Sequence, residues 1–557
     1  MFYHPPTIMR SGNLIFSAFF LCYVLIMCCS CNQGKDSNPV NSIFSSDYVD
    51  VESFKEAIQK DLPPCNTDDS TFNRQLMKDN NGLLNTAYAY KLNEYKPIWM
   101  DASGLKPSVT LLISQLKTLQ EDGLDTGKYG IAGLEAGLQQ FQDQKEHPFD
   151  SLVAFDKDLT NSWLLATKDL LLGSIDIKKG DSLWFARNDS SFYGAALLIT
   201  SLKADNTLPS LDTFRPDSKI YDQMKKALIN WQDLKNDSDY VNAKQHIATL
   251  KNDSVLMQVL NKELQGVAVS EDDTVKTLKR WISTYQYYHQ LKNTGTLDSN
   301  TIASLQQMPD DYIRHLRLNM DRIRALPRNL KGEQVWVTIP LMEVDYIKDD
   351  AVQFHSRVVV GKVSRQTPTI WANMTNIVFN PPWGVPPTIL KNDVGPGVGK
   401  SGGAYLAKKG LRAFDSKGKD VTSNVNISNY KRYTYRQPPG ADNSLGEVKF
   451  NLPNAWDIYL HDTPHRENFG NRYRALSSGC VRVQNPKQLA EIILNNEKFT
   501  ADKIDTIIST RKTKTERLGR RLPVYIIYAT VAEDSVGNQL RYLNDVYKRD
   551  ESMRKFY

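Results

Sequence analysis

At 557 residues the chain is too long for one hydrophobic core, and length alone predicts about three or four domains. Its composition, 41% hydrophobic and 24% charged with no low-complexity tract or evident repeat, is that of an ordinary globular protein. A net charge of +6 is small for this length; it suits mild attraction to an anionic polymer and leaves no nucleic-acid footprint, so no nucleic-acid partner is expected.

In chain order, Arg10 precedes an uncharged, mostly apolar run from Leu14 to Met27 that is too short for a membrane span, so residues 1–31 read as a targeting segment. The run ends in Cys28-Cys29-Ser30-Cys31, which resembles a bacterial lipoprotein cleavage site. Cys31 after the small Ser30 is the expected lipid carrier, although Cys28 stands where leucine is usual; ordinary secretion is the alternative. Residues 32–64 are polar and read as a tether. Over 65–240 the apolar spacing turns helical, with Leu111, Leu112, Leu116 and Leu119 on one predicted helix and Leu159, Trp163, Leu164, Leu170 and Leu171 on another. A second helical block, 241–327, carries the stripe Leu278, Trp281, Ile282, Tyr285 and Tyr288, a turn near Gly295, then Thr301, Ile302 and Leu305; Arg317 to Pro327 reads as a connecting helix.

After Pro327 the period changes. Val335 to Ile339, Ser356 to Gly361, Ile377 to Phe379, Asp457 to Leu460 and Pro523 to Val531 are branched or aromatic runs bounded by Gly, Pro and Asn. They predict strands of a β-rich domain over 331–535, followed by a C-terminal helix or tail over 536–557. Residues of about 386–432 form a Gly- and Lys-bearing insertion whose length predicts a lid. Its Val394 to Ser401 has the look of a phosphate loop, but its first glycine is out of register and no apolar strand leads into it. The basic run Arg511, Lys512, Lys514, Arg517, Arg520 and Arg521 reads as a solvated face. The fold class expected is multidomain α+β.

The chemistry concentrates between Tyr459 and Val483. Cys480 is the only cysteine in the last four hundred residues; it sits in Ser477-Ser478-Gly479-Cys480-Val481-Arg482-Val483, downstream of Tyr459-Leu460-His461-Asp462-Thr463-Pro464. A thiol needs a nearby imidazole to become a useful nucleophile. The small turn at Ser478 and Gly479 lets backbone N–H groups crowd toward whatever sulfur attacks, as an oxyanion hole requires. Alternation places Ile458 and Leu460 on one face and His461 on the other, and puts Arg482 on the side of Cys480, where a guanidinium can hold a carboxylate. Asn485-Pro486 is expected to cap a helix with Leu489, Ile492 and Ile493 buried, fixing the cysteine loop.

With Arg436-Gln437-Pro438-Pro439-Gly440, Asn443-Ser444-Leu445-Gly446, Lys449-Phe450 and the segments just quoted, the chain resembles the L,D-transpeptidase family of bacterial cell-wall enzymes, in its large multidomain periplasmic branch. Tyr95-x-Pro97-x-Trp99, Gly104-Leu105 and Gly123-Leu124-Asp125 resemble the helical scaffold domain of that branch, and 241–327 resembles by position a peptidoglycan-binding module. Many members carry a second histidine two residues before the cysteine; Ser478 stands there, which leaves the work to His461.

The resemblance implies a cysteine acyltransferase of peptidoglycan stem peptides. Cys480 is the nucleophile, His461 the base and then the acid, and the Gly479 and Cys480 N–H groups form the oxyanion site. Arg482 binds substrate, and neither cofactor nor metal takes part. It also implies inhibition by carbapenem-type β-lactams and attachment to the membrane through the N-terminal lipid.

Other readings compete. Cys480 as a buried small hydrophobe ignores the pattern around it. A zinc site from His461, His465 and Cys480 requires a helix that Pro464 opposes. Cys65 reads as an idle thiol. At the level of function, a thiol hydrolase (an L,D-carboxypeptidase) on the same fold and a non-catalytic wall-binding lipoprotein are the alternatives.

Overall fold

The computed structural model describes residues 49–144, 147–185, 192–250, 252–265, 267, 274–328, 330–534 and 539–557. Residues 1–48, and with them the whole targeting segment and Cys31, lie outside the described residues. The architecture is a helical N-terminal region followed by a β-rich domain, the expected α+β class.

Within the stretch read as a tether, α1 (Val51–Asp61) is a helix, started by Asp50, whose carboxylate accepts the Ser53 N–H at 3.2 Å. Phe54 and Ile58 bury one turn apart in the helical core with Ala57 packed against it, while Val51 is exposed and the other positions of α1 are polar. A helix with so narrow an apolar stripe reads as polar chain in sequence. Its core includes α2 (Leu83–Leu92), α3 (Ser108–Lys117) and α4 (Phe149–Leu172). Leu112, Leu116 and Leu119 are buried as their spacing predicts, but Leu111 faces solvent. All five apolar residues expected on the second helix are buried along α4. At the centre, the Asp156 carboxylate accepts the Tyr90 hydroxyl at 2.5 Å and the Ile98 and Trp99 N–H groups, and the Trp99 indole donates to Thr160 Oγ1. Burial pushes the Asp156 carboxyl up to about 6.

A second, larger core runs without interruption from the middle helices into the sheet. It takes in α5 (Lys219–Lys235), α6 (Asp253–Leu264), α7 (Thr274–Tyr288), α8 (Ser299–Leu305) and α9 (Pro309–Arg324). The aromatic stripe of α7 is buried in it as predicted. Helix α9 has proline at its start, Asp310 and Asp311 in its first turn, and Arg322 and Arg324 in its last, an order that suits the helix dipole. Its last turn is a buried ionic hub. Arg324 donates to Asp321 at 2.6 Å, to the Tyr221 hydroxyl and to the Asp122 carbonyl. Asp321 also accepts the Ser174 N–H and hydroxyl and the Tyr557 hydroxyl, and Arg322 pairs with Asp550 at 2.7 Å. One helix thereby ties the N-terminal region to the C-terminal segment.

The β-rich domain is a closed, mixed sheet. Its strands are β1 (Gln334–Thr338), β2 (Glu343–Lys348), β3 (Ala351–Gly361) and β4 (Ile370–Phe379). After the insertion come β5 (Val448–Asn451), β6 (Leu460–His461), β7 (Ala475–Ser477), β8 (Val481–Val483) and β9 (Lys514–Ile527). The order is β7-β3-β8-β6-β5-β4-β9-β1-β2, and β2 pairs back onto β3. Strand β6 is shorter than expected: Asp457 takes φ +52°, and pairing begins at Leu460. The C-terminal segment carries a strand, Leu540–Tyr542, and a short helix, Arg549–Met553, whose Arg549 and Met553 are buried.

The insertion is a small subdomain with its own core of Val394, Val398, Leu406, Leu411, Ala413, Val425, Tyr430 and Tyr435. A three-stranded sheet of Trp383–Gly384, Thr434–Gln437 and Arg412–Phe414 roots it in the domain. In its phosphate-loop-like stretch, Gly395–Ser401 is helix. Of the basic run, Arg520 is bound to the Glu333 carboxylate.

Candidate active site

The cysteine turn is braced from below. Ser477 Oγ donates to the Cys480 carbonyl at 2.6 Å and accepts the Gly479 N–H at 3.1 Å. Thr367 Oγ1 donates to the Gly479 carbonyl at 2.7 Å and accepts the Gly361 N–H at 2.8 Å, joining the turn to the end of β3. Gly479 has φ +123°, a backbone conformation that favours glycine, and a Cβ there would sit 3.3 Å from the tip of Ile458. Beyond the turn, α10 (Pro486–Leu494) buries Leu489 and Ile493. The Asn485 side chain makes no capping bond; proline at the first turn, which needs no donor there, starts the helix instead.

Sheet register assembles the site. Lys449 of β5 is opposite His461 of β6, and His461 is opposite Arg482 of β8, so the three side chains share one face. Tyr459 and Cys480, each two residues earlier, lie on that face too, and the Val481 N–H donates to the Tyr459 carbonyl at 3.1 Å. Ile458 and Leu460 point into the core, as the alternation predicts. His461 and Cys480 are diagonal neighbours across the parallel β6–β8 pair.

His461 is buried, 5% exposed, and its Nδ1 donates to the Asp462 carbonyl at 2.5 Å. The neutral ring therefore keeps its free lone pair on Nε2, the form that accepts a proton. Burial, with the positive charges of Arg482 and Lys449, pulls the ring down to about 3 against the pull of the Asp462 and Leu445 carbonyls. The Asp462 carboxylate is itself fixed by the Glu447 N–H at 2.9 Å and Arg466 at 2.7 Å.

Around the half-buried Cys480 sulfur the balance is opposite in sign. Burial pushes the thiol up, while the Tyr459 N–H and phenol, Lys449 and Arg482 all favour the thiolate. The S–H faces the Asp457 carbonyl at 3.9 Å. Neither Lys449 nor Arg482 makes an ion pair among the described residues, and the buried Arg482 Nε has no hydrogen-bond partner there. Burial lowers the affinity of both cations for their protons, and the Cys480 thiolate is the first charge that restores it. An unpaired buried guanidinium is costly unless an anion arrives.

The insertion reaches this face in two places. Trp383 lies beside the Tyr459 phenol. Arg365 grips Asp393 of the insertion with two bonds, 2.6 and 3.0 Å, and donates to Ser478 Oγ at 2.9 Å. Ser478 is here part of a clasp between the cysteine's turn and the insertion.

With this geometry in hand, comparison with known proteins becomes specific. Residues 85–228 match a family described as a scaffold domain, and residues 333–526 match the L,D-transpeptidase catalytic domain. The chain therefore carries an L,D-transpeptidase catalytic domain, preceded by a scaffold domain. A Haemophilus influenzae protein named "Putative L,D-transpeptidase" is 32% identical over 291 residues, which is 50% of this chain and 58% of that protein's length. The chain thus spans little more than half of that curated relative. A solved chain described as the Ldtfm-avibactam carbamoyl enzyme aligns over 36% of this chain and 50% of its own at 10% identity; its TM-score of 0.19 carries no argument.

In this L,D-transpeptidase domain, Cys480, His461 and Arg482 share one face and Ser478 stands exposed beside it. The oxyanion reading needs correction at Gly479, whose N–H is taken by Ser477 Oγ. No acceptor for the Cys480 N–H is found among the described residues, so that donor remains available. His465 is exposed and pairs with Glu467 at 3.3 Å. Among the described residues no cluster of three or more His, Cys, Asp or Glu could hold a metal ion, and Cys65 and Cys480 are free thiols. Tyr459 and Lys449 join the site by two signals, the even spacing of Tyr459 from His461 and the register of Lys449 opposite it, and only the first is visible in sequence.

Proposed function

We propose that the chain is a peptidoglycan L,D-transpeptidase that forms 3–3 cross-links. The observation that carries the reading is one sheet face bearing a thiol, a neutral buried imidazole and an unpaired guanidinium. His461 Nε2 takes the Cys480 proton as the sulfur pair adds to the carbonyl carbon between the third stem residue and D-Ala. The carbonyl π pair moves to oxygen, which accepts the Cys480 N–H. Collapse breaks the C–N bond, His461 gives its proton to the departing amine, and D-Ala leaves a thioester behind. An amine of a second stem attacks the thioester and yields its proton through His461 to the departing sulfur. Arg482 holds the substrate carboxylate throughout.

Cys480→Ala tests this. It should abolish both cross-linking of muropeptides and the mass gain from a carbapenem-type β-lactam, read by mass spectrometry; an alanine variant that still gains the opened lactam would sink the assignment. Trimmed stems without cross-links from the wild-type chain would move the reading to a carboxypeptidase.

We also infer that the enzyme works in the periplasm, held to a membrane by a lipid on Cys31. The support is the short apolar run ending in Ser30-Cys31, and among the described residues no helix is long and apolar enough to cross a membrane. Cys31→Ala should release the protein to the soluble periplasmic fraction, and unchanged membrane partition would refute the lipid site.

A further inference from the structure

The neutral His461 leaves the site with a question of charge. As sulfur loses its proton, a full negative charge develops at a half-buried atom, and a group on the same face has to balance it. Arg482 is one cation there, yet its role in holding the substrate carboxylate occupies it when substrate is bound. Lys449 is the other. Its ammonium lies 4.1 Å from the centroid of the Tyr459 ring, and the Tyr459 phenol and N–H lie against the Cys480 sulfur. Its neighbour on β4 is the apolar Val378, so nothing on that side competes for the charge.

We propose that Lys449 is a positioning residue for the nucleophile: its ammonium, held on the Tyr459 ring, is the resident counter-charge of the Cys480 thiolate. This deepens the transpeptidase reading and rests on Cys480 as nucleophile. The cation–π contact fixes an otherwise flexible side chain in place without neutralising it, as a carboxylate partner would. The charged and titratable groups that bear on the sulfur and the ammonium are few. Asp457, Tyr459 and His461 come from the β6 segment, and Arg482 comes from β8 with Glu467 toward it. At Ser478 stand Arg365 and Asp393, which neutralise each other, and just before β5 Glu447 is drawn off by Lys487 at 3.0 Å.

The test is the rate of Cys480 alkylation by iodoacetamide from pH 5 to 10, followed by mass spectrometry of the Cys480 peptide so that Cys65 does not contribute. The new S–C bond forms as iodide leaves with its electron pair, so the rate follows the thiolate and needs no cell-wall substrate. Lys449→Met should move the midpoint up by about one pH unit and slow alkylation at pH 7 by about tenfold, and Lys449→Arg should restore the wild-type profile. A Met profile superimposed on wild type, or an Arg variant as slow as Met, would overturn the proposal; Lys449→Gln replaces Met if that variant does not fold. If the alkylation profile shifts as expected while the wild-type chain neither cross-links muropeptides nor acylates with a β-lactam, the transpeptidase reading falls and the role of Lys449 stands.

Discussion

The last turn of α9 and the face around Cys480 both bury arginine, and they treat it in opposite ways. Arg324 is 1% exposed and is met by Asp321, the Tyr221 hydroxyl and the Asp122 carbonyl. Arg482 is half-buried with Nε unpartnered, and Lys449 beside it has a ring and no carboxylate. Charges whose partners are built into the chain join parts of the molecule; charges left without partners await something that comes from outside. The contrast distinguishes a structural hub from a site more sharply than burial or charge alone, because both places have both.

Mutations can break or sharpen this contrast. The largest effect is expected at His461, the proposed base: His461→Ala should lower the rate of β-lactam acylation by about 10²–10⁴-fold, while His465→Ala leaves it near normal. The reverse pattern in stopped-flow acylation would reassign the base. In the hub, Arg324→Ala strands Asp321 and should cost about 3–5 kcal/mol in denaturant unfolding, with acylation per folded molecule unchanged. Arg482→Ala should do the opposite. It should leave stability equal or higher, yet lower kcat/KM for carboxylate-bearing stems by about 10–100-fold, the worth of a charged hydrogen bond.

A pH experiment follows from His461 and from His289, another buried ring held near 3 by burial. Between about 6.5 and 3 the unfolded chain binds protons that these folded rings refuse, so stability rises with pH across that window and is lost as pH falls through it. At pH 5, His461→Ala should therefore take up about one proton fewer on unfolding than wild type, measured from the slope of stability against pH. The smallest effect belongs to the clasp: Arg365→Ala frees Asp393 and Ser478 and should change acylation only a few-fold, in keeping with a half-exposed ion pair worth about 1 kcal/mol or less. A loss as large as that of His461→Ala would make the clasp part of the chemistry.

Much of the site was legible because its parts lie close in sequence. Cys480, Gly479 and Arg482 fall within one turn and one strand, and the spacing of His461 from Ile458 and Leu460 gave its face correctly. The oxyanion assignment at Gly479 erred because a side-chain hydroxyl, Ser477 Oγ, claims that N–H, and sequence spacing does not show which way a serine turns. Helix α1 lies in the stretch read as a tether because only Phe54 and Ile58 of its side chains are buried, and so short a stripe sets a period weakly. The insertion was read as a lid from its length, but its independent core joins residues from Val394 to Tyr435 that no local pattern connects.

By itself, then, the sequence determined the candidate thiol and imidazole, the α+β order of helical region and β-rich domain, and the likeness to an L,D-transpeptidase catalytic domain, since each rests on residue type and short-range spacing. Tertiary structure alone decided which cations stand unpaired. Lys449, His461 and Arg482 become neighbours only through the register of three strands, and Arg324 meets Asp122 and Tyr221 only because α9 packs against the N-terminal helices. Electrostatic energy depends on separation and burial in space, and a chain's order fixes neither until the strands have paired and the helices have packed.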